Sequence, residues 1–323
     1  MDNQDKITII IPCYNEQETI PIFIDEMNKV YIEMQKNYNI QMEYLFVDDG
    51  SKDNTLEVMK EAAEKNSHIS FISFSRNFGK EAAMFAGLEH ADGDYVVIID
   101  VDLQDPPELV EEMYRTLKNS KYDCVASRRV NRTGESPVRS FFAKMFYRII
   151  RKISKINIVS GARDFRMMTR QMVDSIVSLR EYNRFSKGIF QWVGFETKWI
   201  DFENRNRVAG TTKWSFFGLL IYAIEGVIAF STAPLALSSI IGIIFCVIAL
   251  IMVVVFFIRA LVWGDPVSGW PSLACIICFT AGIQLFCNGI TGLYLSKTYS
   301  EVKGRPQYVI KTHHKCSHKN IES

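Results

Sequence analysis

The chain has 323 residues, enough for one large domain or two smaller ones with ample core. Its formal net charge of +1, with no basic footprint on the part that reads as folded, excludes a nucleic-acid binder. The seven cysteines form no ligand pairs, since Cys275 and Cys278 stand at such a spacing only inside an apolar run, and they read as reduced thiols of a cytosol-facing protein.

The polar start, Asp2 to Lys6, has no signal-peptide pattern. Ile7 to Ile11 predicts a buried strand, followed by Pro12-Cys-Tyr-Asn-Glu16 and an amphipathic helix to about Gln35. A second strand, Tyr44 to Val47, ends in Asp48-Asp49-Gly50-Ser51, and Asp53 or Asn54 can cap the next helix. Asp48 reads as structural, because alternation turns it away from the side its neighbour faces. Ile69 to Phe74 is a third strand. Tyr95 to Ile99 is a fourth, too short for a buried helix and suited to a parallel strand covered on both faces. Asp100, Asp102 and Gln104 follow at alternate positions, and Pro106 and Pro107 pre-set a helix from near Glu108.

Strand, turn and helix alternate, which predicts right-handed βαβ units and an α/β fold with a doubly wound, mainly parallel sheet. Ligands of such sheets bind outside the carboxyl ends of the strands, where Tyr14, Asn15, Glu16, Asp49, Arg76, Asp100 and Asp102 all fall. Two carboxylates and a side-chain carbonyl suit Mg²⁺ or Mn²⁺ on a diphosphate. The alternatives are plainer: Asp100 and Asp102 as helix caps, Tyr14 as a packing residue, Arg76 as a surface charge. GxGxxG and GxxxxGK[ST] are both absent after the first strand, which excludes a Rossmann dehydrogenase and a P-loop enzyme.

Beyond Asp123 the character changes. Arg128, Arg129, Arg132, Arg139, Lys144, Arg148, Arg151, Lys152 and Lys155 are interleaved with Phe141, Phe142, Met145, Phe146, Ile149 and Ile150. From about 137 to 155 this spacing predicts a basic amphipathic helix lying on an anionic membrane surface, with a solvated charged face as the alternative. Gly226 to Ile258 carries no charge. Pro234 divides it into an interfacial helix at 215–231 and a first membrane span at Pro234 to Ile258; a second span runs from about Ser272 to Leu295. Basic flanks at Arg205 to Lys213 and Lys297 to Lys319 place the termini and the first 214 residues in the cytoplasm, with 297–323 as a basic tail.

Ile-Pro-Cys-Tyr-Asn-Glu16, Val-Asp-Asp-Gly-Ser51, Ser-Arg-Asn-Phe-Gly-Lys80 and Asp-Val-Asp-Leu-Gln-Asp-Pro-Pro107 together resemble the inverting family 2 glycosyltransferases, and among them the polyprenyl-phosphate enzymes of dolichol-phosphate or bactoprenol-phosphate type. The resemblance covers about residues 5–215 and extends to the hydrophobic tail. It implies a glycosyltransferase A fold that transfers a sugar from a nucleotide-diphosphate sugar, such as UDP-glucose, to undecaprenyl phosphate for cell-envelope glycosylation. Pro12, Tyr14, Glu16, Asp49, Arg76, Lys80 and Asp100 would then hold the donor, and Asp100, Asp102 and Gln104 the metal. Asp102 and Asp164 would be catalytic, Asp164 sitting near the acceptor in Gly161-Ala-Arg-Asp-Phe-Arg-Met-Met168, unless it is only an ion-pair partner of Arg163 or Arg166. Arg128, Arg139, Arg207 and Lys213 are candidates for the acceptor phosphate. Thr212 stands where the family more often has Ser and keeps the hydroxyl. The resemblance also implies a homo-oligomer, up to a tetramer, embedded in the bilayer of a bacterial plasma membrane. A GDP-mannose enzyme and a processive polysaccharide synthase are the alternatives; the latter needs more spans and a QxxRW motif, and Gln191-Trp192 has no following Arg.

Overall fold

The computed structural model describes residues 4–129, 159, 161–202, 228, 231–263 and 269–316. The membrane-surface helix expected at 137–155, most of the interfacial helix expected at 215–231, and Arg139, Arg207 and Lys213 lie outside these residues.

The first half alternates as expected: β1 (Asp5–Cys13), α1 (Thr19–Asn37), β2 (Ile40–Asp48), α2 (Thr55–Lys65), β3 (Ile69–Phe74), α3 (Lys80–His90), β4 (Tyr95–Ile98) and α4 (Leu109–Lys118). Then come β5 (Cys124–Arg129), β6 (Ala162–Thr169), α5 (Arg170–Ser178), α6 (Ser186–Trp192), β7 (Thr197–Phe202), α7 (Ala233–Trp263), α8 (Trp270–Val302) and β8 (Ile310–His314). The eight strands form one sheet in the order β7-β5-β6-β4-β1-β2-β3-β8.

β1 sets the layering. Ile7, Ile9 and Ile11 point into a core shared with Phe23, Met27 and Met34 of α1 and with Val110, Met113 and Leu117 of α4. Ile10 points the other way, onto Ala83 and Ala86 of α3. With both faces covered, a strand needs a continuous apolar run, which is why these segments lack polar alternation. On α4 the buried residues recur at Val110, Met113, Tyr114 and Leu117, the spacing of one helical face. α3 packs so closely that a Cβ on Gly87 would lie 2.2 Å from Ile10 Cγ2.

The sheet is mixed rather than wholly doubly wound. β1 to β4 pair in parallel, but β6 enters between β4 and β5 antiparallel to both. Its insertion is held by Phe165, Met167 and Met168, all buried, and by Arg166, whose guanidinium is 3.7 Å from the Phe190 ring centre on α6. At the other edge β8 runs antiparallel to β3. There Tyr308 stacks on Phe74 with ring centres 5.0 Å apart, and His314 stacks on Phe71 at 5.4 Å. Part of the basic tail is therefore a strand of the sheet.

Among the described residues one helix is long and apolar enough to cross a membrane, with a window at Ala233–Met252 of mean hydropathy 2.9. α7 leaves Ile243 and Leu250 exposed, and α8 leaves Leu285 and Phe286 exposed. Tyr294 of α8 donates its hydroxyl hydrogen bond to the Ser231 carbonyl.

Candidate active site

The loops after β1, β2, β3 and β4 meet at the carboxyl edge of the sheet. After β1, Asn15 adopts φ +54°; its N–H donates to Ser51 Oγ at 2.9 Å and its Oδ1 accepts from Lys52 N at 2.9 Å. Glu16 N donates to Thr55 Oγ1 at 2.8 Å, and Glu16 Oε2 accepts from Thr19 Oγ1 at 2.9 Å. Asn15 and Glu16 are thus held by the β2–α2 loop and the start of α2, while Pro12, still in β1, pairs in register with Val47 of β2.

The two acidic residues ending β2 divide their work. Asp48 accepts from Ser51 N at 2.9 Å and from Ser73 Oγ at 2.7 Å, a structural role as its alternation implies. Asp49 is also buried, and accepts from Phe78 N at 2.6 Å and Gly79 N at 2.9 Å. Burial pushes its carboxyl up to about 6, against the pull of those N–H groups. It fixes the Arg76–Lys80 loop whatever else it binds. Gly50, at φ +64°, lets the loops touch: a Cβ there would lie 2.3 Å from the Arg76 carbonyl carbon. The Arg76 guanidinium covers the Phe78 ring at 4.1 Å and donates to the Asn77 carbonyl at 3.0 Å.

After β4 the chain turns sharply, with buried Leu103 in the left-handed region at φ +55°. Such backbone costs on the order of 1–3 kcal/mol and persists where the surroundings over-determine it, commonly at functional sites. Asp102 is buried, and its Oδ1 accepts from Gln104 N at 3.2 Å. Gln104 Oε1 accepts from Arg163 Nη2 at 3.2 Å, so this carbonyl is already engaged. Arg163 also pairs with buried Asp105 at 3.0 Å; burial pushes the Asp105 carboxyl up to about 6 although the guanidinium pulls it down.

β6 brings Asp164 to the same edge. Lys80 Nζ lies 2.7 Å from Asp100 Oδ1 and 2.7 Å from Asp164 Oδ2, joining residues 84 apart in sequence. Burial alone would raise the Asp164 carboxyl; the Lys80 ammonium and, through space, Lys187 outweigh it and hold it well below the usual range. The partner of Asp164 is therefore Lys80 rather than Arg163 or Arg166, whose side chains serve Asp105 and backbone carbonyls. Arg128 lies elsewhere, in a two-pronged pair with Asp201 at 2.7 and 2.9 Å between β5 and β7.

Lys187, Glu81 and Ser186 had no local signal in the sequence, and Asp105 stood without an assigned role inside the Asp-Val-Asp-Leu-Gln-Asp-Pro-Pro107 motif. Half-buried Glu81 accepts from Ser186 N at 3.0 Å, tying the start of α3 to that of α6. Beside the carboxylates rather than over them is a cleft of about 820 Å³, lined by Arg76, Gly79, Glu81, Arg184 and, from α8, Tyr294 and Lys297.

The donor set fits a hard divalent cation in one particular way. Among the described residues no three His, Cys, Asp or Glu side chains converge on one point, but Asp100 and Asp102 share a turn and an ammonium already stands in at Asp100. One or two carboxylates completed by substrate phosphates and water is how Mg²⁺ is commonly bound.

A glycosyl transferase family 2 model matches residues 8–177, which include every loop just described. The chain is 40% identical over 308 residues to CsbB of Bacillus subtilis, covering 95% of this chain and 92% of that one. It is 39% identical over 310 residues to the bactoprenol glucosyl transferase of Shigella phage SfII, covering 96% and 99%. YkcC of Bacillus subtilis is 34% identical over 321 residues, covering 99% and 98%. With the four motif loops assembled at the carboxyl edge of one mixed sheet and such similarity along nearly its whole length, the chain belongs to glycosyl transferase family 2.

Proposed function

We propose that this enzyme transfers a sugar from a nucleotide-diphosphate sugar, UDP-glucose or a related UDP-sugar, to polyprenyl phosphate with inversion at the anomeric carbon. The observation that carries this reading is that similarity to a bactoprenol glucosyl transferase spans 96% of the chain and so includes the apolar helices as well as the sugar-nucleotide loops.

Pro12, Tyr14, Glu16, Asp49 and Arg76 form the donor's nucleoside side. Asp100 and Asp102 would hold Mg²⁺ or Mn²⁺, which would supply charge neutralisation for a nucleoside diphosphate leaving group. Gln104 joins them only by giving up Arg163. The acceptor phosphate is already anionic at neutral pH, its second pKa being about 6, so positioning and charge control replace a strong base. Asp164, kept ionised by Lys80, orients the acceptor or a sugar hydroxyl. Arg128, Arg139, Arg207 and Lys213 are assigned to the acceptor phosphate, Arg128 by exchanging Asp201 for it.

β8 supports a reading of the topology. It succeeds α8 yet pairs with β3, which favours a chain that returns to the side it left, with α7 and α8 crossing a bilayer as a pair. Exposed apolar side chains on both helices and the basic flanks favour two spans, with the catalytic part and both ends of the chain in the cytoplasm of a bacterial cell. Assembly into a homo-oligomer belongs to the same reading.

Purified protein in detergent, supplied with undecaprenyl phosphate and a panel of labelled nucleotide sugars, tests the proposal. One donor should give a single-sugar lipid product. A polymer, or no lipid product with any donor, would overturn it.

A further inference from the structure

Lys80 Nζ is 2.7 and 2.9 Å from the two carboxylate oxygens of Asp100 and 2.7 Å from Asp164 Oδ2. Three anionic oxygens, two from the turn after β4 and one from β6, around one positive centre is the environment that hard cations take, filled here by a side chain. The Lys80 side chain is 40% exposed, so water and ions reach the bridge and it can open without unfolding. Its attachment favours a short stroke. Lys80 begins α3 just after Gly79, which sits at φ +98° with open space around the missing Cβ, while Gly79 N is anchored on Asp49. The backbone is held and the flexible four-carbon stem supplies the movement.

Resting on the reading that Asp100 and Asp102 take a divalent cation, we propose that Lys80 is a positioning residue that competes with this cation for Asp100. With the cation absent, Lys80 draws Asp100 and Asp164 together across β4 and β6. When the cation arrives, Lys80 leaves Asp100 and remains on Asp164. Loading of the donor side is thereby coupled to the freedom of the carboxylate on the acceptor side, and the free enzyme keeps a low affinity for the cation until a nucleotide diphosphate adds its own oxygens. No covalent bond changes in this exchange.

The test is Mn²⁺ titration of the full-length protein in detergent without nucleotide, following the electron paramagnetic resonance signal of free Mn²⁺. Lys80→Met should bind Mn²⁺ about tenfold more tightly than wild type, the scale of one charge-assisted contact removed from competition. Lys187→Met is the control for charge alone, because Lys187 also acts on Asp164 but is not hydrogen-bonded to Asp100. It should stay within about twofold of wild type, as expected for a charge that makes no hydrogen bond to Asp100 and acts on it only through space. Lys80→Gln replaces the methionine variant if the latter does not fold. Asp102→Asn, alone and combined with Lys80→Met, identifies the site: binding that it does not weaken is not at this turn. If neither wild type nor Lys80→Met shows Asp102-dependent binding, the cation reading and this proposal both fall. If wild type shows it and Lys80→Met binds no more tightly, or no more tightly than Lys187→Met, the cation reading stands and the competition does not.

Discussion

Gly50→Ala tests whether the β2–α2 loop and the Arg76–Lys80 loop form one rigid unit. The new Cβ would meet backbone, 2.3 Å from the Arg76 carbonyl carbon and 2.7 Å from its Cα, where ordinary contact begins near 3.4 Å. One loop must therefore retreat by about 1 Å, and no side-chain rotation can relieve the clash. The alanine would also sit at φ +64°. Left-handed backbone costs on the order of 1–3 kcal/mol and overpacking a similar amount, so a loss of about 2–6 kcal/mol is expected. That corresponds to roughly 5–25 °C in Tm for a catalytic part of this size. A displacement of about 1 Å at a positioning loop can lower turnover by about a hundredfold. Gly194→Ala is the matched control, since it has φ +77° but nothing within 4 Å of its missing Cβ. Thermal unfolding and nucleoside diphosphate titration of both variants are the assays. If Gly50→Ala loses no more stability than Gly194→Ala and binds the nucleotide normally, the close approach of the two loops is wrong.

Asp102→Asn should nearly abolish turnover while leaving Tm almost unchanged, and full wild-type turnover in excess EDTA would sink the metal assignment. Arg128→Ala should raise the KM for polyprenyl phosphate about tenfold, the scale of one charge-assisted phosphate contact, with nucleotide affinity unchanged; an equal fall in both would move this arginine to the donor side. Asp49 and Asp105 have folded values near 6, above their ordinary 3.8, so the stability each contributes is fully present below 3.8 and is lost as pH rises through about 6. The Tm of wild type should accordingly fall between pH 4 and 7 more steeply than that of Asp49→Asn, and parallel curves would count against the buried charge. A cysteine placed at Ser268 should react with an impermeant reagent on intact cells and one at Lys303 should not; the opposite pattern would invert the topology.

The parallel half of the sheet was readable because a strand covered on both faces must be largely apolar, as Tyr95 to Ile99 is and as Ile7 to Ile11 is with Thr8 its single polar residue. Strand ends were less so: β1 runs from Asp5 to Cys13 and β2 from Ile40 to Asp48, since backbone pairing continues past the apolar stretch. The loop residues could be placed from their position after each strand, but not their partners. Lys80 was expected on the donor and holds two carboxylates, one of them on a strand 84 residues away, a distance over which no local pattern operates. Gln104 facing Arg163, and Arg163 facing Asp105, are likewise products of β6 entering antiparallel between β4 and β5. β8 escaped notice for another reason: Ile310-Lys-Thr-His-His314 is too polar to look like a strand, and an edge position tolerates that polarity because only one side pairs.

The edge partner of β3 has a consequence for biosynthesis. β3 is complete at Phe74, yet the segment that covers its open side is made about 235 residues later, after both long helices. At translation rates of up to about 20 residues per second, the unpaired hydrogen-bonding groups of β3 stay uncovered for roughly ten seconds or more in every nascent chain. During that interval neighbouring chains on one polysome present the same bare strand to one another, a ready template for edge-to-edge aggregation. A stop codon placed after α8 would therefore yield a chain with both long helices intact and its sheet permanently open.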